Sequence, residues 1–219
     1  MANRFGRATK DTWQLMKVRQ QAVKKKYGKY SGRVMFPSSH DIFDFPIIEE
    51  ACFTVLRKLL EKGNQVLITT KPRLKIIKKI DSLFSEFKEN IQFRFTITSK
   101  EDRLLRFWEP NAPGFMERFD CLIFTNEKDY KTSVSMEPFL DYNPVELVKL
   151  LAPFVTESIW VGKMNYIARN NLEKEDQPFY DNVRKNYETS HLWEIYNELK
   201  DNHLIRFKDS IRFQLGLEI

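Results

Sequence analysis

Residues 32–41 read GRVMFPSSHD. Arg33-Val34-Met35-Phe36 is a run suited to a buried strand, and it passes straight into Pro37 and a knot of polar groups, Ser38, Ser39, His40 and Asp41. The same handover recurs along the chain. Val66-Leu67-Ile68 ends in Thr69-Thr70-Lys71-Pro72, Phe93-Arg94-Phe95-Thr96-Ile97 ends in Thr98-Ser99, Thr132-Ser133-Val134-Ser135-Met136 ends in Glu137-Pro138, and Ile159-Trp160-Val161 ends in Gly162-Lys163-Met164-Asn165. Five strands thus deliver polar side chains at the same C-terminal end. In parallel α/β proteins the strand-to-helix loops gather there, and ligands bind among them.

Helical periodicity fills the intervals. Residues 47–62 place Ile48, Cys52, Val55, Leu56, Leu59 and Leu60 on one face, closed by Gly63. Pro72 opens a helix with Leu74, Ile77, Ile80, Leu83, Phe84 and Phe87 in register. Ser99 with Asp102 marks a helix start, residues 115–127 form a further helix, and Asn143-Pro144-Val145-Glu146 starts one that runs to Phe154. Alternation of this length predicts parallel strands joined by right-handed crossovers.

The strands decide between an open sheet covered on both faces and a barrel. Strands buried on both faces read as continuous Val, Ile and Leu. Here Phe93, Phe95 and Ile97 alternate with Gln92, Arg94, Thr96 and Thr98, and Val134 and Met136 alternate with Ser133, Ser135 and Glu137. One face suits a helical layer, and the other carries hydroxyls, an arginine and a carboxylate. That pattern predicts a wide, incomplete parallel (β/α) barrel with a polar lumen, in which Arg94 and Glu137 pair so that neither charge is buried alone. Lys71, Ser133, Ser135, Lys163 and Asn165 complete the expected lining. The plain alternative is that inward hydroxyls bond only to neighbouring backbone and that the ion pair is purely structural.

Composition bounds the rest. The chain has 219 residues, 42% of them hydrophobic, enough to bury a sizeable core. Cys52 and Cys121 lack any paired spacing, which fits a reducing cytoplasm. No apolar run is long enough to span a membrane. Residues 1–33 carry ten basic side chains against Asp11 alone, a net +9 in a chain of +6, so the rest is slightly acidic. This basic segment is either a solvated helix face or an arm that follows a phosphate backbone.

Motifs for common chemistries are missing. None of the seven glycines falls in a phosphate-loop spacing, and there is no HExxH or CxxC, hence no metal set. Of three histidines only His40 sits at a strand end, as a hydrogen-bonding group or a base. Asp41 and Glu137 are the remaining acid-base candidates.

GRVMFPSSHDI, VLITTKPRL, FRFTITS, RFWEPNAP, TSVSMEPFLD and IWVGKMN together resemble the radical S-adenosylmethionine superfamily, in its spore photoproduct lyase-like and DNA-repair photolyase-like branch. The resemblance implies a partial (β/α)6 barrel. It also implies a CxxxCxxC loop holding a 4Fe-4S cluster that cleaves S-adenosylmethionine to a 5′-deoxyadenosyl radical. The motif would fall before Ala2, so the expectation is a chain with five of six strands that does no radical chemistry by itself and exposes residues 32–36 as an edge open to association. By the same resemblance Ser38, Ser39 and Asp41 stand where the methionine amino group is received. Thr96, Thr98 and Ser99 stand by the ribose, Glu137 near the sulfonium or ribose, and Val161 and Gly162 by the adenine. The alternative is a non-catalytic protein that keeps the barrel for a nucleoside-like ligand. The expected organisation is a basic helical segment over residues 1–30, the partial barrel over 31–165 and a helical extension over 166–219.

Overall fold

The computed structural model describes residues 17–170 and 172–218. In chain order the elements are α1 (Gln20–Lys24), β1 (Arg33–Phe36), α2 (Pro46–Leu60), β2 (Gln65–Thr70), α3 (Leu74–Phe84), β3 (Ile91–Thr96), α4 (Asp102–Trp108), α5 (Phe115–Glu127), β4 (Lys131–Met136), α6 (Pro144–Leu151), β5 (Ser158–Val161), α7 (Gln177–Asn186), α8 (Thr189–Leu199), β6 (Ile205–Phe207) and α9 (Asp209–Gln214). All six strands are parallel and follow chain order across a single sheet. When every crossover joins neighbouring strands in the same direction, right-handedness sends all the connecting helices to one face. Among the described residues the other face carries none of these crossover helices and curls into half a barrel.

Burial follows that division. Val66, Ile68, Phe93, Phe95, Val134, Met136, Ile159 and Val161 point to the helices and are at most 1% exposed. They meet the buried faces of α2, α3 and α6, each side chain contributing about 1.5–3 kcal/mol of burial. On the concave face the register sets side chains in rows. Thr69, Arg94, Ser133 and Ser158 form one, and Thr96, Ser135, Trp160 and Arg206 the next towards the C-terminal mouth.

The local start and stop signals hold in two places. Gly63 has φ +69°, a left-handed turn suited to glycine, and Asn64 N–H reaches back to the Leu59 carbonyl. Asn143 Oδ1 accepts from Val145 N at 3.0 Å to cap α6.

Four expectations are corrected. The described sheet has six strands where five were expected, because Ile205–Phe207 of the tail pairs with β5. The helical extension expected over 166–219 is interrupted: α7 and α8 break after Asn186, and Ile205–Phe207 is a strand. Of the basic helical segment expected over 1–30, residues 1–16 lie outside the described residues and the remainder is helical only over Gln20–Lys24. Ser99 does not cap α4: its hydroxyl accepts from Glu101 N, and Asp102 Oδ1 instead accepts from Phe115 N at 2.8 Å, where α5 begins. Among the described residues no helix is long and apolar enough to cross a membrane.

Candidate functional site

At the mouth of the half barrel the ends of β4, β5 and β6 meet. Glu137 follows β4 on the concave side, and its Oε2 lies 3.0 Å from Lys208 Nζ, both side chains about one-third exposed or less. Gly162 lies between them. A Cβ there would sit 2.9 Å from Glu137 Cγ and 3.0 Å from Lys208 Cγ, so the glycine allows the ion pair to cross in front of β5. Below it, Trp160 has Lys208 Nζ 5.0 Å and Arg94 Cζ 5.2 Å from its ring centroid, and its Nε1 donates to Ser158 Oγ at 3.0 Å. The expected Arg94–Glu137 pair is therefore not formed. Glu137 stands two rows nearer the mouth and is taken by Lys208, which β6 supplies, while Arg94 lies against Trp160.

The second side of the mouth is built from β1, β2 and the α4–α5 loop. Asp41 Oδ1 accepts from Thr70 Oγ1 at 2.9 Å and Lys71 N at 2.7 Å, tying the β1 loop to the end of β2. With Lys71, Arg73, Trp108, Glu109 and Asn111 it lines a cleft of about 140 Å³. That is below the roughly 300 Å³ of an ordinary small-molecule pocket, so the cleft suits part of a ligand. Ser38, Ser39 and His40 are exposed beside it, and His40 Nδ1 lies 2.9 Å from the Asp41 carbonyl oxygen.

Three expected ligand contacts are structural. Thr98 and Ser99 are 0% exposed: Thr98 Oγ1 donates to Glu109 Oε1 at 3.0 Å, and Ser99 Oγ donates to Asp141 Oδ1. Val161 is 0% exposed on the helix side, which leaves its side chain no route to an adenine. Thr96 and Ser135 are half-buried on the concave face, Lys71 and Lys163 are half-buried at the strand ends, and Asn165 is exposed. Ser133 is buried and accepts from Gln92 Nε2, while Lys163 Nζ donates to Gln214 Oε1.

The packing of the mouth rests on groups that sequence reading passed over. Arg118, fully buried on α5, places Nη1 2.6 Å from Glu109 Oε2 and 3.1 Å from the Thr96 carbonyl oxygen, and Nε donates to the Pro113 carbonyl. Asp141 also accepts from Lys100 N at 3.1 Å. Burial pushes its carboxyl above the usual 3.8, against the pull of the Ser99 and Lys100 hydrogen bonds. Trp160 was visible in the alternation of β5. Arg206 and Lys208 were not, since the strand that carries the first and leads into the second sits in the tail.

A 4Fe-4S cluster does not fit the described residues. Cys52 and Cys121 are buried in separate helices. Burial raises the Cys52 thiol to about 11 and moves Cys121 further in the same direction, the opposite of what a thiolate ligand needs. Among the described residues no group of three or more His, Cys, Asp or Glu can hold a metal ion.

The fold and mouth define an open, incomplete parallel (β/α) barrel with a polar concave face. Its known counterparts agree on the architecture. The chain matches Streptococcus suis SuiB with a TM-score of 0.51, at 11% identity over 83% of this chain and 40% of that one. It matches SuiB bound to S-adenosylmethionine with a TM-score of 0.52, at 11% identity over 85% of this chain and 42% of that one. By sequence it is 26% identical over 200 residues to the uncharacterized protein ORF301 of Acidianus two-tailed virus, over 86% of this chain and 65% of that protein. The chain thus spans about two-thirds of the viral protein and two-fifths of SuiB. No family model matches it.

Proposed function

We propose that this chain is a ligand-binding half barrel of the radical S-adenosylmethionine type, whose mouth takes S-adenosylmethionine or a nucleoside-like relative. The observation that carries this reading is the Glu137 carboxylate, part-exposed at the end of β4 over a hydroxyl-bearing concave face. The fold supports it, being shared with a protein solved with S-adenosylmethionine bound.

The chemistry of the donors fits the ligand. A carboxylate suits a cationic sulfonium or amine, and the Thr96 and Ser135 hydroxyls suit a ribose. Glu137 would hold the cationic end, with Thr96 and Ser135 below it. The ligand competes with Lys208 for Glu137, which keeps affinity modest. Radical chemistry, the activity that the resemblance implies, requires a cluster the described residues cannot ligate. Binding without catalysis is accordingly the function proposed for these residues. The repair-branch resemblance and the Lys24-Lys25-Lys26 run support nucleic acid as the larger partner.

Titration calorimetry with S-adenosylmethionine and S-adenosylhomocysteine tests the reading. Saturable heat is expected, stronger for the sulfonium, and Glu137→Gln weakens it by roughly tenfold. No heat from either ligand at millimolar concentration overturns it.

A further inference from the structure

The concave face has a charge pattern that the proposed mouth ligand does not use. Its carboxylate, Glu137, is at the mouth, while the strands beneath present Arg33, Arg94, Lys131 and Arg206. Among the described residues none of the three arginines has a carboxylate oxygen within 4.0 Å. Arg33 donates to Gln92 Oε1, Arg206 Nη1 donates to the His203 and Ile205 carbonyls, and Arg94 makes no hydrogen bond among the described residues. Arg94 Nε is fully buried without a partner. A buried donor left unpaired costs about 1–3 kcal/mol.

Arg33, lower on the edge strand, reaches towards this row through Gln92, whose Nε2 in turn donates to Ser133, the neighbour of Arg94 across the sheet. Burial, and after it the charge of Arg33, push the Arg94 guanidinium down from its ordinary value. The Trp160 ring lies against it, and Thr69 Oγ1, one position across the same row on β2, is likewise buried without a partner. The guanidinium of Arg94 and the hydroxyl of Thr69 in one row, with the Arg33 side chain reaching up to Gln92 beneath them, are the kinds of donor that an oxyanion accepts from at this point of the concave face. The point lies roughly 13 Å below Glu137, four strand residues away, too far for the same small group to touch both.

We infer that the floor of the half barrel, at Arg94, Arg33 and Thr69 beside Trp160, is a binding site for an oxyanion, the phosphate or carboxylate group of a second ligand. An oxyanion there completes the donors that the fold leaves open and offsets the repulsion between the two arginines. The site does not depend on S-adenosylmethionine binding at the mouth.

The test is an NMR titration of the full-length chain, following the Trp160 indole N–H, assigned by its loss in Trp160→Phe. Sodium phosphate, sodium acetate and sodium chloride are added at matched ionic strength. The expected result is a saturable shift with phosphate or acetate and none with chloride, the tighter of the two naming the acid group of the ligand. Arg94→Gln weakens the response at least roughly tenfold, and Arg33→Gln, at an exposed position, weakens it without threatening the fold. No shift with either oxyanion, an equal shift with chloride, or an unchanged response in both variants overturns the site. Calorimetry with S-adenosylmethionine on the same samples reads the mouth separately, so each reading can fail alone.

Discussion

At the scale of single residues the mouth is held by buried polar pairs whose removal has calculable consequences. Arg118 is fully enclosed and Glu109 nearly so, and together they tie α5 to the loop after α4 and the end of β3. Arg118→Met leaves the Glu109 carboxylate buried without its counterion, and urea unfolding is expected to show a loss of about 3–5 kcal/mol. Adding Glu109→Gln to that variant recovers part of the loss. Asp141 makes a prediction about pH. Its folded pKa lies above the ordinary 3.8 because burial opposes the charge, so the folded chain holds this proton more tightly than the unfolded one. Its contribution to stability therefore falls as pH rises from that ordinary value through the raised one. Comparing the urea midpoints of the parent and Asp141→Asn across this range should show the parent's relative stability declining with pH; a flat or rising difference contradicts the assignment. These residues also mark what sequence could not disclose. Thr98 and Ser99 follow a strand and carry hydroxyls, as ligand contacts do, yet their partners Glu109 and Asp141 arrive from separate loops.

At the scale of elements the strand-to-loop handovers and helix stripes were legible because period and capping are local. The 2-residue alternation of β3 and β4 correctly assigned a polar concave face, and the Asn143-Pro144 start placed α6. The sixth strand was not legible. Ile205-Arg206-Phe207 is three residues long, too short for periodicity to separate from a loop, and it is defined by the partner it finds in β5. Missing it meant missing Lys208, and so assigning Glu137 to the wrong cation. The break between α7 and α8 carries no glycine or proline; it occurs where Tyr187 turns inward, its hydroxyl donating to the Phe139 carbonyl at 2.6 Å and its ring edge-on to Phe139. The contact among the β4, β5 and β6 ends is tested by Gly162→Ala. The new methyl group meets Glu137 and Lys208 at their Cγ atoms, too close to the backbone to swing clear cheaply, and the expected cost is about 1–3 kcal/mol in urea unfolding. The same variant should weaken S-adenosylmethionine binding, since the displaced pair is the one the ligand meets.

For the whole molecule, parallel strands in chain order produce a sheet with the crossover helices on one side and, among the described residues, a polar concave face on the other. Two strand edges result, at β1 and β6. Along β1 the Met35 side chain is half-exposed on the concave side, and a parallel sheet that ends so invites pairing with another chain. Self-association through this edge is expected to appear in sedimentation velocity as a concentration-dependent shift that Met35→Lys reduces; identical profiles for both proteins would exclude β1 as the contact. Polarity also runs from the mouth to the floor. At the strand ends Glu137 and Glu109 are paired with Lys208 and Arg118, while Arg33, Arg94 and Arg206 lie beneath without a carboxylate partner among the described residues, so it is the lower level that favours an anionic group. The concave face as the ligand-bearing surface is tested most directly by crystals of the full-length chain grown with S-adenosylmethionine. Difference density should lie at the β4–β5 mouth, with the sulfonium end within contact of Glu137 and Lys208 displaced from it. Density on the helical face, or a fully occupied ligand that leaves the Glu137–Lys208 pair closed and untouched, would contradict it.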